Sequence, residues 1–291
     1  METFDRQRED MSNAVLLEHV NLQQPDQQLA TLFYVSGLLL TRDPYLMVGL
    51  DNMWINIGRT QVHLPTTRGE AQRLRGVIGL VVPDLDRLEK SLAQVRPRLA
   101  ETRFEFERRA DRIDAVCPWG NRFSCRAPDP DRWGQTQLGL VSLELDVPAG
   151  TAPAIAAFYT EMLGAPAAVE PAAQGLRRAV VRVGADQRLH FIETREPVPA
   201  YDGHHIQIYL ADFSGPYRRL LERKLITRET DAHEWRFIDI VDPASGRTVY
   251  QLEHEVRSMR HPLFARPLVN RNAEQSNAAY RRGQDAFRGT F

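Results

Sequence analysis

The sequence predicts an α+β fold made of four successive βαβββ modules, and three observations predict it. Four short alternating apolar runs recur: EHVNLQQPD (Glu18–Asp26), GVIGLVVPD (Gly76–Asp84), VSLELDVPAG (Val141–Gly150) and HHIQIYLAD (His204–Asp212). A helical pattern follows each, over Asp26–Leu38, Leu85–Val95, Thr151–Leu163 and Ser214–Lys224, with apolar residues three and four apart. A last strand-like run closes each set, and its distance from the first run is nearly constant. His19 to His63, Val77 to Ser124, Ser142 to His190 and His205 to Glu253 are 44, 47, 48 and 48 residues apart.

Each element has a local reason. Alternation of apolar and polar residues is the pattern of a strand with one buried face. The Pro-Asp or Ala-Asp that ends three of the runs reads as a turn followed by a helix N-cap. The first and third helices share a detail, FYVSGL at Phe33 and FYTEML at Phe158. The closing strands are TQVHLP at Thr60, NRFSCR at Asn121, QRLHFI at Gln187 and YQLEHE at Tyr250. Modules therefore run over residues 16–65, 75–128, 138–193 and 203–256. The turn-rich APDPDRWGQ (Ala127–Gln135) reads as a linker, giving halves over 16–130 and 138–256, an N-terminal extension over 1–15 and a tail over 257–291. RHPLFARPLVNRN in the tail has apolar anchors and no period, so it is expected to lie over the body. Beyond Asn272 the chain turns polar and Arg-rich and is expected to fray.

Composition excludes several functions. The 291 residues are 43% hydrophobic and 26% charged, as in folded proteins, and 37 basic residues meet 38 acidic ones. A net charge of -1 supplies no field for nucleic acid. No apolar run approaches the roughly 18 residues of a membrane span. The opening METFDRQREDMSN mixes both charges without an apolar core, unlike a secretory signal. Cys117 and Cys125 are too few for a disulfide framework and wrongly spaced for a CxxC zinc site, so a reducing, cytoplasmic setting is expected. Nucleophile-elbow, phosphate-loop and dinucleotide patterns are missing, and no nucleotide cofactor is expected.

Four such modules, with FYVSGL, VPDLDRL, CPWGNRF, FYTEMLGA and DPASGRTVYQLE in this order, resemble the vicinal oxygen chelate superfamily of glyoxalase I, extradiol dioxygenases and bleomycin-binding proteins. The resemblance covers about residues 16–256 and implies two glyoxalase-like domains with curved mixed sheets. It also implies a cleft whose ligands come from the first and last strands of two paired modules. In that frame the ligand positions are His19 and His63, Val77 and Ser124, Ser142 and His190, and His205 and Glu253. Two pairings are open. Consecutive pairing would give His190, His205 and Glu253 one cleft. Pairing the first module with the last would gather His19, His63, His205 and Glu253 and leave the other cleft without a site.

The metal implied is a divalent Fe, Ni, Mn or Zn, which imidazole and carboxylate together suit. The substrate implied is a small molecule with adjacent oxygens, and the reaction a dioxygenase, lyase or isomerase step. Glu253 would serve as ligand and base. Counting from Gly246 instead puts Tyr250 at the ligand position. Trp54, Tyr209 and Trp235 supply aromatic surface near these strands and Gln207 a polar group for a ligand. The plainer reading stands beside this one: a strand histidine is equally served by hydrogen bonds within the sheet, and large aromatics fill cores. A metal-free, sequestering small-molecule binder, whose cleft in that superfamily usually spans a homodimer, is the alternative function.

Overall fold

The computed structural model describes residues 6–45 and 51–286. Its sixteen described strands fall into four sets of four. The first module holds β1 (Ala14–Asn21), β2 (Thr41–Arg42), β3 (Asn52–Ile57) and β4 (Thr60–Pro65). The second holds β5 (Gly76–Val81), β6 (Glu105–Arg108), β7 (Arg112–Val116) and β8 (Arg122–Arg126). The third holds β9 (Gly139–Pro148), β10 (Ala167–Pro171), β11 (Arg177–Arg182) and β12 (Arg188–Thr194). The fourth holds β13 (His205–Leu210), β14 (Ile226–Asp231), β15 (Glu234–Val241) and β16 (Thr248–Ser258).

The helix of each module follows its first strand, as the periodicity requires. Asp26 accepts from the backbone N–H of Gln28 and Leu29 at 2.8 and 3.0 Å, and Asp84 from Arg87 at 2.9 Å. Such a cap is worth about 1 kcal/mol. The third helix lacks a local cap, and the buried Glu193 carboxylate accepts from Ala152 N–H at 3.1 Å instead. The two Phe-Tyr helices both widen into π-helical turns, Thr31–Gly37 and Tyr159–Leu163.

Sheet pairing decides between the two arrangements. One eight-stranded sheet runs β14-β15-β16-β13-β1-β4-β3-β2, so the fourth module joins the first. The other runs β10-β11-β12-β9-β5-β8-β7-β6 and joins the third to the second. Each sheet is mixed. Its first strands meet antiparallel at the centre, and each lies parallel to its own closing strand. Helices of consecutive modules pack on one another instead. Ser91 donates to the Gly37 carbonyl at 2.6 Å, and Arg219 to that of Met162 at 3.0 Å.

The sheets are tied together by backbone and by side chains, Thr60 Oγ1 accepting from Leu140 N–H at 2.8 Å among them. Gly58 has φ +61° and bridges to Gly139, and a Cβ there would meet the Leu138 carbonyl oxygen at 2.1 Å. Gln187 is buried between β1 and β9. Its amide nitrogen donates to the Leu17 and Leu140 carbonyls at 2.8 Å each, and its oxygen accepts from Leu17 N–H at 2.9 Å. Both thiols are free and buried. No helix among the described residues is long and apolar enough to cross a membrane.

The tail is ordered further than its composition predicts. It packs Leu263 with Tyr45 and Tyr280, and Arg271 N–H and the Asn272 amide bond the Asp285 and Gln284 carbonyls. Local Asn and Gln side chains satisfy the backbone of a polar segment that has little to bury.

Gln187→Ala would leave three buried backbone groups without partners. The expected loss is about 2–3 kcal/mol in urea denaturation. A loss below about 0.5 kcal/mol would show that this tie between the sheets is not a stabilising one.

Candidate metal centre

Register lays the polar residues of the first sheet in rows. His19 pairs with Gln207 on one side and Gln61 on the other, and Gln207 pairs with Glu255. One step along, Asn21 pairs with His205 and His63, and His205 with Glu253. Ligand-type atoms of His19, His205 and Glu255 lie within 4.8 Å of one another, taking two residues from the first row and one from the second. This is the only group of three such residues among those described.

A register irregularity between Leu17 and His19 interrupts the alternation of β1. Glu18 and His19, neighbours in sequence, then meet side by side: His19 Nδ1 lies 3.3 Å from Glu18 Oε2. An ionised carboxylate only accepts, so Nδ1 carries the proton and Nε2 is left with a lone pair. That Nε2 is buried and has no hydrogen-bond partner. His205 Nε2, 3.4 Å from Glu255 Oε2, makes no hydrogen bond either. Between them, the Gln207 amide is fully buried with neither polar atom bonded. Buried polar atoms are normally paired, so unpaired ones on residues of two adjacent strands single out this part of the sheet.

Charge is arranged around these groups. Arg257 contacts Glu18, Glu234 and Glu255 at 3.5, 3.1 and 2.5 Å, and Arg236 contacts Glu234, Glu253 and Glu255 at 3.1, 2.8 and 2.5 Å. Burial pushes the Glu255 carboxyl up, but Arg257, the His205 contact and Arg236 outweigh it and hold it well below the usual range. Glu18 is likewise held down, by the His19 bond and Arg257 against burial. Burial pushes His19 down, and His63 well down with help from His19 and His205. Neutral imidazole and ionised carboxylate are the forms a metal takes.

The expected residues divide. His19 and His205 are in the cluster. His63 stands beside it, stacked on Trp54 at 3.7 Å, with its ring 5.9 Å from that of His19 and its Nε2 bonded to Asn52. Tyr209 donates to Glu18 Oε1 at 3.2 Å. Glu253 faces the same way as Glu255 but sits level with His205, where Arg236 takes one oxygen. The carboxylate brought to His19 is therefore two residues further on. Tyr250 is buried beneath Arg75, 4.2 Å from its ring, and beside Phe191. Trp235 packs with Phe213, Tyr217 and Phe237 against the fourth module's helix. His190 is in the other sheet, level with Glu144. Alternation along β16, read two residues further, offered Glu255. The irregularity that presents Glu18 left no mark in the sequence.

No protein-family model matches the sequence, and no curated protein does. Solved structures match over most of the chain. A putative dioxygenase from Bacillus subtilis covers 86% of each chain with TM-score 0.56 and 13% identity. Glyoxalase I from Zea mays covers 83% of this chain and 92% of its own, with TM-score 0.58 and 15% identity. The chain has the vicinal oxygen chelate fold. At these identities it is the fold alone that is shared. The pairing of first with last module gives this glyoxalase-like chain one sheet that carries the cluster. The second sheet presents Val77, Glu144, His190 and Arg122 at the matching level and no such group among the described residues.

Burial pushes His190 and His261 down to about 4 from 6.5. Both stay neutral in the folded chain while the unfolded chain takes up protons near pH 6.5, so the unfolded state binds more protons between these values. The contribution of these two groups to stability is expected to be full well above pH 6.5 and to be lost progressively as pH falls through 6.5 towards 4. His190→Gln should flatten that slope in denaturation at pH 7.5 and 5, and an unchanged slope would contradict the assignment.

Proposed function

We propose that the cleft of the first sheet is a metal-dependent active site of the vicinal oxygen chelate kind, acting on a small molecule with adjacent oxygens. His19, His205 and Glu255 would hold a divalent ion, with iron, nickel, manganese and zinc all compatible with two imidazoles and one carboxylate. When bound, such an ion supplies Lewis-acid polarisation of oxygen atoms. The observation that carries the reading is His19: a carboxylate fixes the proton on Nδ1, and the bare Nε2 is buried beside His205 and Glu255 without a partner.

The remaining residues would do the positioning. Glu18 orients His19, and Arg257 and Arg236 fix Glu255. Trp54 with His63 forms a wall, and Gln207 and Tyr209 offer polar contacts. Glu253, held at one oxygen by Arg236, is the candidate to accept a proton at the other. Tyr250, Trp235 and His190 have no part. Dioxygenase, lyase and isomerase steps all fit this set.

A second reading rests on Glu255, both of whose oxygens meet a guanidinium at 2.5 Å. A carboxylate neutralised in this way needs no ion, and the cleft would then bind a small molecule without metal.

Metal analysis of untagged protein tests the choice. Near one equivalent of a divalent ion is expected, falling to background in His205→Ala. Glu18→Gln should weaken the ion's affinity about 10–100-fold. Wild-type protein that stays metal-free after reconstitution with each of the four ions would favour the binding-protein reading.

A further inference from the structure

The tail does more than cover apolar surface. Together with β1 and β4 it borders a half-open cavity of about 650 Å³, lined on the tail side by Leu263, Phe264, Arg266 and Leu268 and opposite by Leu16, Glu18, Arg59 and Gln61. The tail is fixed there. Arg266 forms a buried ion pair with Asp43, Tyr45 donates to the Pro267 carbonyl at 2.7 Å, and Phe264 meets the Tyr209 ring edge-on at 4.8 Å.

The lining is apolar with a cationic end. Glu18 is saturated by His19, Tyr209 and Arg257, so it adds no free negative charge. Arg266 spends one terminal nitrogen on Asp43. Its other, Nη1, is buried without a partner although the side chain is only 4% exposed. A buried guanidinium N–H with nothing to donate to is an acceptor's place left open. Arg59, in the β3–β4 turn, makes no ion pair among the described residues and is the cation of this wall whose charge is not offset, that of Arg266 being paired with Asp43. The cavity volume is in the range that holds one small organic molecule.

We propose that this cavity binds an apolar small molecule carrying a single carboxylate. The carboxylate is held by Arg59 and Arg266, and the hydrocarbon or aryl body lies among Leu16, Leu263, Phe264 and Leu268. Glu18 lines the cavity and bonds His19. A molecule seated there would thus lie beside the candidate metal centre, and only this last step, that the bound acid is the substrate, rests on the function proposed above.

Calorimetry on the full chain, dialysed against chelator so that no metal is needed, tests the proposal. The probes are phenyl- and alkyl-carboxylates of four to ten carbons and their neutral amides. At least one acid is expected to bind at one per chain, and its amide at least tenfold more weakly. Arg59→Gln should weaken the acid at least tenfold without moving the melting temperature, and Phe264→Ala should weaken acid and amide alike. No binding by any acid at millimolar concentration, equal binding of acid and amide, or indifference to Arg59→Gln would each overturn it. His205→Ala, which should empty the metal centre, should leave acid binding in place, so failure of the metal reading and failure of this one are read separately.

Discussion

The antiparallel pairing of β1 with β13 is the constraint on which the rest depends. It joins the first strand of the chain to one near its end, so that His19 stands level with Gln207 and Asn21 with His205. Neither module alone holds a complete set. The first brings an imidazole with its own carboxylate, and the last brings an imidazole, an amide and the acidic strand β16. Long-range strand pairing carries a loop-closure cost that grows only slowly with length. The repeated helix-on-sheet packing of four modules, with one continuous apolar core, provides the burial that outweighs it.

How far the sequence could be read follows from the physics of strands. Helix starts at Asp26 and Asp84 and the first and last strands of all four modules were legible, because periodicity and capping are local. That His19 and His205 stand close together was legible from their equivalent positions. Pairing of modules was not, since both arrangements satisfy the same local patterns. Which of Glu253 and Glu255 comes close to His19 was not either: both face the same way, and only the register against β13 and the position of Arg236 separate them. Glu18 was hidden for a stronger reason. Ideal alternation sends neighbours to opposite faces, and a local irregularity in β1 defeats that rule.

The tail shows the same limit from another side. Its apolar anchors point to a seat on the body but not to the partners there, and Arg266 and Asp43 form a buried pair across more than two hundred residues of sequence. Breaking such a pair from one side would strand a charge, which makes the tail's seat specific as well as adhesive. Its apolar anchors, Leu263 and Phe264, act only because Tyr45 and Tyr209 meet them.

Charge is paired throughout the site. Glu18, Glu234, Glu253 and Glu255 form one connected network with Arg236 and Arg257, four carboxylates facing two guanidiniums. His19 and His63, pushed down by burial, add no positive charge near neutrality. With His205 touching Glu255 as well, each of these carboxylates has a cationic or imidazole partner. The two arginines orient Glu255, Arg236 at one carboxylate oxygen and Arg257 at the other. The same network explains why Glu18 can serve two neighbours at once. Arg257 stabilises its ionised form, His19 keeps the proton on Nδ1, and the cavity under the tail meets a carboxylate already satisfied, so that its open cationic end, and not Glu18, sets which small molecule it accepts.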